Sequence, residues 1–318
     1  MNFILKHALS AAAACLLATG AVAATEGMPD NLNIVYVKAP FNLQNMVLKD
    51  RAMLEKAFEK YGTKVAWHTI TSGAKQAQAM AAGSIDVSAV MNTASFLMGN
   101  GAGSTIYIAD GVAHPADTFA IVGPKGKQLS VKDLKGKKVA GPRGTVLHQL
   151  LVAALKKEGL TMQDVEFVSM DPAPALSALL TGNVDAALLA ASAVIKAEES
   201  GCKTIATARG LVNVNLVMTA SESFAKKYPQ ALKLVVNTHR DALKWIRDNK
   251  QEAIALGAKE HGISVQDAET LARWSNYYST VTDRDIEALD QDQDFLIENA
   301  MMSKKVDVKA LVLPTARE

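Results

Sequence analysis

The sequence predicts an α/β fold with two lobes, in which mainly parallel sheets are flanked by helices and a helical C-terminal region follows. Three observations support this prediction. From residue 32 onward, short runs of β-branched residues alternate with stretches rich in Ala and Leu, which is the pattern of βα units. One helix-to-strand junction occurs twice, and the chain after residue 221 carries helical patterns only.

The first series of elements alternates strand with helix. Runs rich in Val, Ile and Thr predict strands at 32–38, 64–70, 85–90 and 105–109, and the stretches between them predict helices at 43–61, 74–82 and 94–99. A stretch that contains Gly, Pro, Asp and His, residues 110–117, then interrupts the pattern.

The second series repeats the alternation. Strands are predicted at 118–122, 138–140, 165–168, 184–189 and 204–208, with helices at 147–158, 173–180 and 192–199. A further strand at 213–219 precedes helices at 222–227, 229–249, 251–260, 265–276 and 283–300. Pro229 suits a first helical turn, and Ser264 and Thr282 suit N-caps.

The domain organisation depends on where strand 213–219 lies. If it returns to the first sheet, the chain crosses between the lobes twice, near 110–117 and 209–213, and two crossings make a hinge. Lobe I then comprises 24–112 with 214–318, and lobe II comprises 113–213.

The recurring junction is the most informative pattern in the chain. Residues 76–87 read QAQAMAAGSIDV, and residues 175–186 read ALSALLTGNVDA. In both, a helix of small residues ends at a Gly suited to a left-handed C-cap, and an aliphatic strand follows. The repeat indicates two similar α/β lobes whose strand ends face a shared cleft. The alternative is a chance match of a common helix-to-strand junction.

Composition and the N-terminus exclude several classes. The chain has 34 Lys and Arg against 32 Asp and Glu and no basic block, which argues against a nucleic-acid partner.

Residues 1–23 combine Lys6, a short apolar run and a small-x-small site ending at Ala23, as in a cleaved export signal. The apolar run falls short of the roughly 20 residues that span a bilayer, and a lipoprotein site at Cys15 is the weaker reading. The remaining thiol, Cys202, then has no partner for a disulfide or a multi-cysteine metal site.

At this point the chain resembles a known family, the extracytoplasmic solute-binding proteins of ABC importers, specifically the nitrate, sulfonate and taurine group related to pyrimidine-precursor-binding proteins. The resemblance covers about residues 30–260. It rests on AAGSID at 81–86, on VKDLKGKKVA leading into GPRGT at 131–145, and on GNVDA at 182–186. It implies a type II periplasmic binding protein fold, the Venus-flytrap clamshell, which closes on a small solute and docks on a permease in the inner membrane.

The candidate site can be argued from the residues independently. Ligands of open α/β sheets sit beyond the carboxyl ends of strands. Segments 39–42, 71–73, 91–95 and 141–145 each follow a predicted strand and open a helix, so that free N–H groups and the positive end of the helix dipole favour an anion. The candidate ligand-binding residues are Pro40, Phe41, Asn42, Ser72, Gly73, Asn92, Thr93, Ser95, Arg143, Gly144, Thr145, His148, Ala191 and Ser192.

Several of these residues also have a purely structural reading. The Ser, Thr and Asn side chains suit N-caps, although Asn92 or Thr93 is favoured for a ligand contact. Arg143 could pair with a carboxylate or sulfonate, but an exposed loop arginine is the commoner case. His148 could reach a bound anion or lie in the core or in solvent, and Phe41 is the expected aromatic wall. Where relatives tend to carry an aromatic residue, residues 189–192 read LAAS, which leaves room for a larger or more apolar organic acid.

These observations predict an exported, periplasmic, monomeric binding protein that captures a small anionic or zwitterionic organic solute for an ABC permease, without cofactor or metal. A secreted enzyme on the same scaffold and a ligand-sensing partner of a membrane receptor are the alternatives. Against an enzyme, the sequence has no two-histidine metal spacing and no Gly-x-Ser-x-Gly motif. It also lacks the cysteine-rich iron motif that the pyrimidine-synthesising relatives need.

Overall fold

The computed structural model describes residues 27–318, and no helix in this part of the chain is long and apolar enough to cross a membrane. The predicted export signal, residues 1–23 with Cys15, lies outside the described residues.

The described residues form two sheets flanked by helices. The strands are β1 (Asn31–Tyr36), β2 (Lys64–Thr69), β3 (Val87–Asn92), β4 (Ile106–Ala113), β5 (Phe119–Gly123), β6 (Lys138–Gly141), β7 (Glu166–Ser169), β8 (Ala186–Ala190), β9 (Lys203–Thr207) and β10 (Leu216–Ser221). The helices are α1 (Leu43–Asp50), α2 (Met53–Glu59), α3 (Gly73–Ala81), α4 (Thr93–Gly101), α5 (Val146–Lys157), α6 (Pro172–Leu180), α7 (Ser192–Glu199), α8 (Glu222–Lys227), α9 (Pro229–Asp248), α10 (Lys250–His261), α11 (Val265–Ser275) and α12 (Asp283–Glu298).

The two sheets have the same strand order. The first is β2-β1-β3-β10-β4, and the second is β7-β6-β8-β5-β9. In the first sheet β1 is parallel to β2 and β3, while β10 is antiparallel to both of its neighbours. In the second sheet β5 is likewise antiparallel to both of its neighbours, β8 and β9. Four of the five strands in each sheet therefore run in one direction. The predicted α/β fold with mainly parallel sheets is confirmed, with one reversed strand in each sheet.

The recurring sequence junction lies at equivalent places in the two sheets. Gly83 precedes β3 and Gly182 precedes β8, with φ angles of +73° and +74° that glycine adopts without strain. The aspartates that follow also correspond. Asp86 Oδ2 accepts the backbone N–H of Asn33 at 2.8 Å, and Asp185 Oδ2 accepts that of Lys138 at 3.0 Å. Each aspartate thus ties its strand to the start of the neighbouring β1 or β6, so the repeat reflects matched architecture rather than chance.

The chain crosses between the sheets twice, after β4 and before β10. Strand 213–219 of the sequence prediction returns to the first sheet as β10, between β3 and β4. The C-terminal helices pack mainly on the first sheet's helices, with α9 against α1 and α2 and α12 against α4. The lobe boundaries at 112 and 213 stay a prediction.

Two elements differ from the prediction. The expected helix 43–61 is two helices, because Ala52 takes a left-handed conformation with φ of +49°. The expected strand 105–109 continues to Ala113, because the Asp110 region pairs with β10. Asp110 is fully buried there, and its charge is balanced by two hydrogen bonds from Arg240, at 3.0 and 2.9 Å, while His239 Nδ1 lies 2.9 Å from its other oxygen.

Candidate functional site

A cleft lies between the two sheets, where the ends of β1, β2, β3 and the start of β10 face the corresponding ends in the second sheet. Its volume is about 550 Å³, including its opening to solvent. The first sheet contributes Val37, Ala39, Pro40, Thr71, Gly73, Gln76, Val90, Met91, Asn92 and Leu216 to the lining. The second sheet contributes Phe119, Thr145, Val146, Leu147, Pro172 and Ala190. The strand-end rule therefore locates the cleft correctly in both halves of the chain.

The side chain of Asn92 joins the two halves at this cleft. Its Oδ1 accepts the backbone N–H of Ser95 at 2.9 Å, which caps α4, and the backbone N–H of Val146 at 3.1 Å, which belongs to α5 of the second sheet. Ser95 Oγ in turn donates to the carbonyl oxygen of Gly144 at 2.8 Å. The N-termini of α4 and α5 are thus hydrogen-bonded to each other through these two side chains.

Two helix N-termini at the cleft are not capped by the side chain of the residue that precedes them. Ser72 precedes α3 and Thr145 precedes α5, and neither side chain caps its helix. The Thr145 hydroxyl instead donates to the carbonyl oxygen of Pro142 at 3.0 Å. Because the first N–H groups of a helix carry partial positive charge, α3 from one sheet and α5 from the other both favour an anion between them.

No charged side chain belongs to the described residues that line the cleft. Most of the lining is apolar, including Val37, Met91, Phe119 and Leu216. Charged groups occur at the rim, where Lys75 Nζ and Asp171 Oδ2 form an ion pair 2.9 Å long between α3 and the residue before α6. An anion in the cleft would therefore be balanced by helix N-termini and N–H groups, with apolar walls around the rest of the molecule.

The structure brings four of the predicted binding residues to the cleft surface, namely Pro40, Gly73, Asn92 and Thr145. Gly144 lies just behind it in a left-handed conformation with φ of +69°, and a Cβ there would come 3.4 Å from Ala74 Cβ of α3. The positive φ favours glycine at position 144, since a Cβ there would make only ordinary contact with Ala74.

Four further predicted residues lie beside or behind the cleft. Ser72 and Ser95 are buried, and the Thr93 hydroxyl donates to the carbonyl oxygen of Asn215 at 3.3 Å, away from the cleft lining. Asn42 is buried behind the first strand, where its Nδ2 donates to the carbonyl oxygen of Val37 at 2.8 Å. Whether any of them contacts a solute stays a prediction.

Phe41 lies in the core and does not line the cleft. Its side chain is fully buried, and its ring lies 5.1 Å from that of His261. The aromatic ring at the cleft belongs to Phe119, the first residue of β5. Sequence reasoning missed Phe119 because only the reversed direction of β5 places a strand start at this edge of the sheet.

Arg143 and His148 lie together on the second sheet against Phe167. The Arg143 guanidinium is 4.8 Å from the centre of the Phe167 ring. The His148 ring stacks on the Phe167 ring, with 5.1 Å between the two ring centres. Burial, with Arg143 nearby, lowers the pKa of His148 to about 4, so its ring is neutral near pH 7. Its Nε2 has no hydrogen-bond partner among the described residues.

Ala191 and Ser192 link β8 to the first sheet's side of the cleft. Ala191 is buried with φ of +49°, and Ser192 Oγ lies 2.7 Å from Nδ1 of His261. His261 was not among the predicted site residues, because its position at the end of α10 gives no sign of this contact.

Residues 27–318 contain no group of three or more His, Cys, Asp or Glu side chains arranged to hold a metal ion. Cys202 is buried and free within this range.

Comparison with known proteins gives a consistent picture. The family model described as NMT1/THI5 like matches residues 49–253. A protein of Escherichia coli K12 described as an aliphatic sulfonates-binding protein is 27% identical over 318 residues, covering 97% of this chain and 96% of its own length. The taurine-binding periplasmic protein of the same organism is 26% identical over 249 residues, covering 71% and 73%.

Solved structures share the fold. The alkanesulfonate-binding protein SsuA from Xanthomonas axonopodis pv. citri, bound to MOPS, superposes with a TM-score of 0.81 at 24% identity, covering 90% of this chain and 98% of that one. The desulfurization enzyme DSZB shares it more distantly, with a TM-score of 0.64 at 15% identity over 90% and 97% of the two chains. The predicted periplasmic binding protein fold is confirmed. Because the family model covers more than half of the chain, this protein belongs to the NMT1/THI5-like family.

Proposed function

We propose that this chain is the extracytoplasmic solute-binding protein of an ABC importer, and that it captures a small organic anion by closing its two lobes around it. The observation that carries the proposal is the pair of helix N-termini, α3 and α5, which meet from opposite sheets at one cleft and are not capped by the side chains that precede them, Ser72 and Thr145. A solute between them would touch both lobes, and binding would favour the closed form. The relatives described as sulfonate-binding and taurine-binding proteins support a solute-binding role.

The lining favours a monoanion with an uncharged apolar tail over a zwitterion. Helix N-termini supply partial positive charge for one anionic headgroup. An ammonium group in an apolar cleft needs a carboxylate to balance its charge, and no carboxylate belongs to the described lining residues. The apolar walls, with Phe119 as their aromatic member, suit a hydrocarbon tail. We therefore place sulfonates and organic acids with apolar tails ahead of taurine-like solutes.

The proposal includes location and partner. The exported protein would lose residues 1–23, act in the periplasm as a monomer, and present both lobes of its closed form to a permease in the inner membrane. Mass spectrometry of the secreted protein tests cleavage after Ala23, and size-exclusion chromatography with light scattering tests the monomer. A dimer that persists at micromolar concentration would contradict the second expectation.

The solute proposal is tested with a matched pair of ligands. 1-Propanesulfonate and taurine have nearly the same size, and a methyl group in the first replaces the ammonium group of the second. Thermal shift and titration calorimetry should show tighter binding of 1-propanesulfonate, because bound ligand raises the melting temperature by mass action. Pentanoate and nitrate extend the series. Failure of every member to bind at millimolar concentration contradicts the proposed function, and equal or tighter binding of taurine contradicts the tail preference.

A pair of threonine variants tests the site. Thr145→Ile adds bulk at the cleft surface and is expected to abolish the solute response while the ligand-free melting temperature changes little. Thr238→Val is the matched control, because Thr238 is a buried threonine of α9 outside the cleft lining, its hydroxyl bonds within its own helix to the carbonyl oxygen of Leu234 at 2.8 Å, and its variant should keep the response. Equal responses of both variants would contradict this cleft as the binding site.

Two further experiments separate the proposed function from the enzyme and the sensing alternatives. A bound solute recovered unchanged after prolonged incubation supports binding, whereas conversion of the solute favours an enzyme on this fold. Loss of solute uptake in cells that lack the protein supports transport, and uptake that continues without it favours sensing.

A further inference from the structure

One imidazole connects the two walls of the cleft. His261, the last residue of α10, is buried, with its Nε2 3.1 Å from the carbonyl oxygen of Lys38 and its Nδ1 2.7 Å from Ser192 Oγ. Lys38 directly precedes cleft residues Ala39 and Pro40, and Ser192 follows cleft residue Ala190 by two positions. His261 therefore lies between the loop after β1 and the loop after β8, which come from different sheets.

The hydrogen bonds determine the protonation of this ring. A carbonyl oxygen only accepts, so Nε2 carries the proton that is donated to Lys38. In the neutral ring Nδ1 is then an acceptor, and the Ser192 hydroxyl donates to it. A second proton on Nδ1 would remove that acceptor, and the Ser192 hydroxyl would have to turn and accept from the charged ring instead. Whether the ring takes that proton is decided by its burial and by the charges around it.

The charged groups around His261 oppose a second proton. Lys196 of α7 donates to the carbonyl oxygen of His261 at 2.9 Å, and the Lys38 ammonium donates to the carbonyl oxygen of the preceding residue, Glu260. One carboxylate, that of Glu260, lies near; it is 3.9 Å from the Lys38 ammonium and accepts the Tyr36 hydroxyl at 3.2 Å. Burial, with Lys38 and Lys196 adding to it, lowers the pKa of His261 to about 4.

We propose that His261 is a positioning residue for closure of the cleft: its neutral ring latches the Ser192 loop of the second sheet to the Lys38 loop of the first, and solute affinity depends on it without a contact to the solute. This inference rests on the proposed function. The inference adds to the proposed function a pH-sensitive contact that belongs to the closed state and lies outside the solute-binding surface.

The sign of the pH effect follows from the two states. Opening of the cleft would separate His261 from Ser192 and Lys196 and expose more of the ring to water, so its pKa would rise from about 4 toward the ordinary value of about 6.5. The closed form binds fewer protons, so closure is at full strength above pH 6.5 and weakens as the pH falls from 6.5 toward 4. Between pH 7 and pH 5 these values correspond to a loss of up to about 20-fold in solute affinity.

Three variants test the latch with 1-propanesulfonate, whose sulfonate stays ionised across this range. Ser192→Ala removes one neutral hydrogen bond and is expected to weaken binding at pH 7 about fivefold. His261→Ala removes both bonds and should weaken binding more. His261→Asn places a non-titrating oxygen near the former Nδ1, so it should bind better than His261→Ala at pH 7 and lose little further affinity at pH 5.

His68→Asn is the matched control. His68 lies on β2 and bonds to Asn33 within the first sheet, so its variant should keep both the affinity and the pH profile. Thermal melting of each ligand-free variant at both pH values establishes that it is folded. Wild-type affinities that stay equal at pH 7 and pH 5, or a His261→Asn profile that falls like the wild type, overturn the latch while leaving the binding function intact. Absence of binding by the wild type at either pH overturns both.

Discussion

Replacing Asp292 with Asn is expected to stabilise the protein above neutral pH. Asp292 of α12 is 7% exposed and faces α5, where Gln149 Nε2 approaches its Oδ1 at 3.4 Å. Burial raises the pKa of this carboxyl to about 7, against about 3.9 in an unfolded chain. The folded form therefore keeps a proton that the unfolded chain has released. The carboxyl's contribution to the free energy of unfolding is full below about pH 4 and is lost as the pH rises toward 7. A shift of about three units corresponds to about 4 kcal/mol as an upper limit.

Asparagine has the same shape, keeps an oxygen for Gln149 and carries no charge. Urea unfolding at pH 4, 6 and 8 should show Asp292→Asn close to the wild type at pH 4 and more stable at pH 8 by up to about 4 kcal/mol. Contributions of other titrating groups cancel in the difference between the two proteins. Glu287→Gln, an exposed change on the same helix, is the control and should stay within about 0.5 kcal/mol at each pH. A variant no more stable than the wild type at pH 8 refutes the reasoning.

Three further predictions concern other buried positions. Asp110→Asn leaves the Arg240 guanidinium without its buried counter-ion and is expected to cost about 3–5 kcal/mol in urea unfolding, whereas a cost below 1 kcal/mol would contradict this role. Gly73→Ala would place a Cβ 2.6 Å from Asn92 Nδ2 and from Ser95 Oγ, so these side chains or α3 must shift, and both the melting temperature and the solute response should fall; an unchanged solute response would argue against this end of the cleft as a binding element. Cys202 is 1% exposed and burial raises its thiol pKa, so thiol reagents should modify it only on unfolding, and rapid modification of the native protein would contradict this.

Much of the fold is predictable because its signals are local. A helix that ends at glycine and runs into an aliphatic strand is specified by about a dozen neighbouring residues, and the two copies fell on matching strands, β3 and β8. The errors arose where tertiary contacts override local preference. The sequence around Asp110 reads as a turn, yet it continues β4 because Arg240, 130 residues away, balances the buried charge. The left-handed Ala52, which divides α1 from α2, has no local signal either.

The site was predictable as a set of loops but not as a set of side chains. The rule that ligands lie beyond strand ends identifies the loops that contain Pro40, Gly73, Asn92 and Thr145, all of which line the cleft. It cannot say which way a side chain in the loop turns, and Phe41 turns into the core. Phe119, from a reversed strand, reaches the cleft lining and His261, from a distant helix, reaches the loop beside it only through the three-dimensional arrangement.

The electrostatics of the cleft offer a physical reason why an anion should drive closure. The N-termini of α3 and α5 carry partial charges of the same sign, and they approach until Gly144 and Ala74 are in near contact. Without an anion the partial positive charges of α3 and α5 repel each other. Asn92 Oδ1 accepts one N–H group of α5, and one of α4, but none of α3. A single negative group between the helices interacts favourably with both, at about 0.3–1 kcal/mol for each helix and more where water is excluded. A neutral molecule of the same shape gains none of this. A neutral isostere of the anion should therefore bind about 3- to 30-fold more weakly and close the lobes less, which calorimetry and small-angle scattering can measure. Equal closure by both molecules would contradict this account.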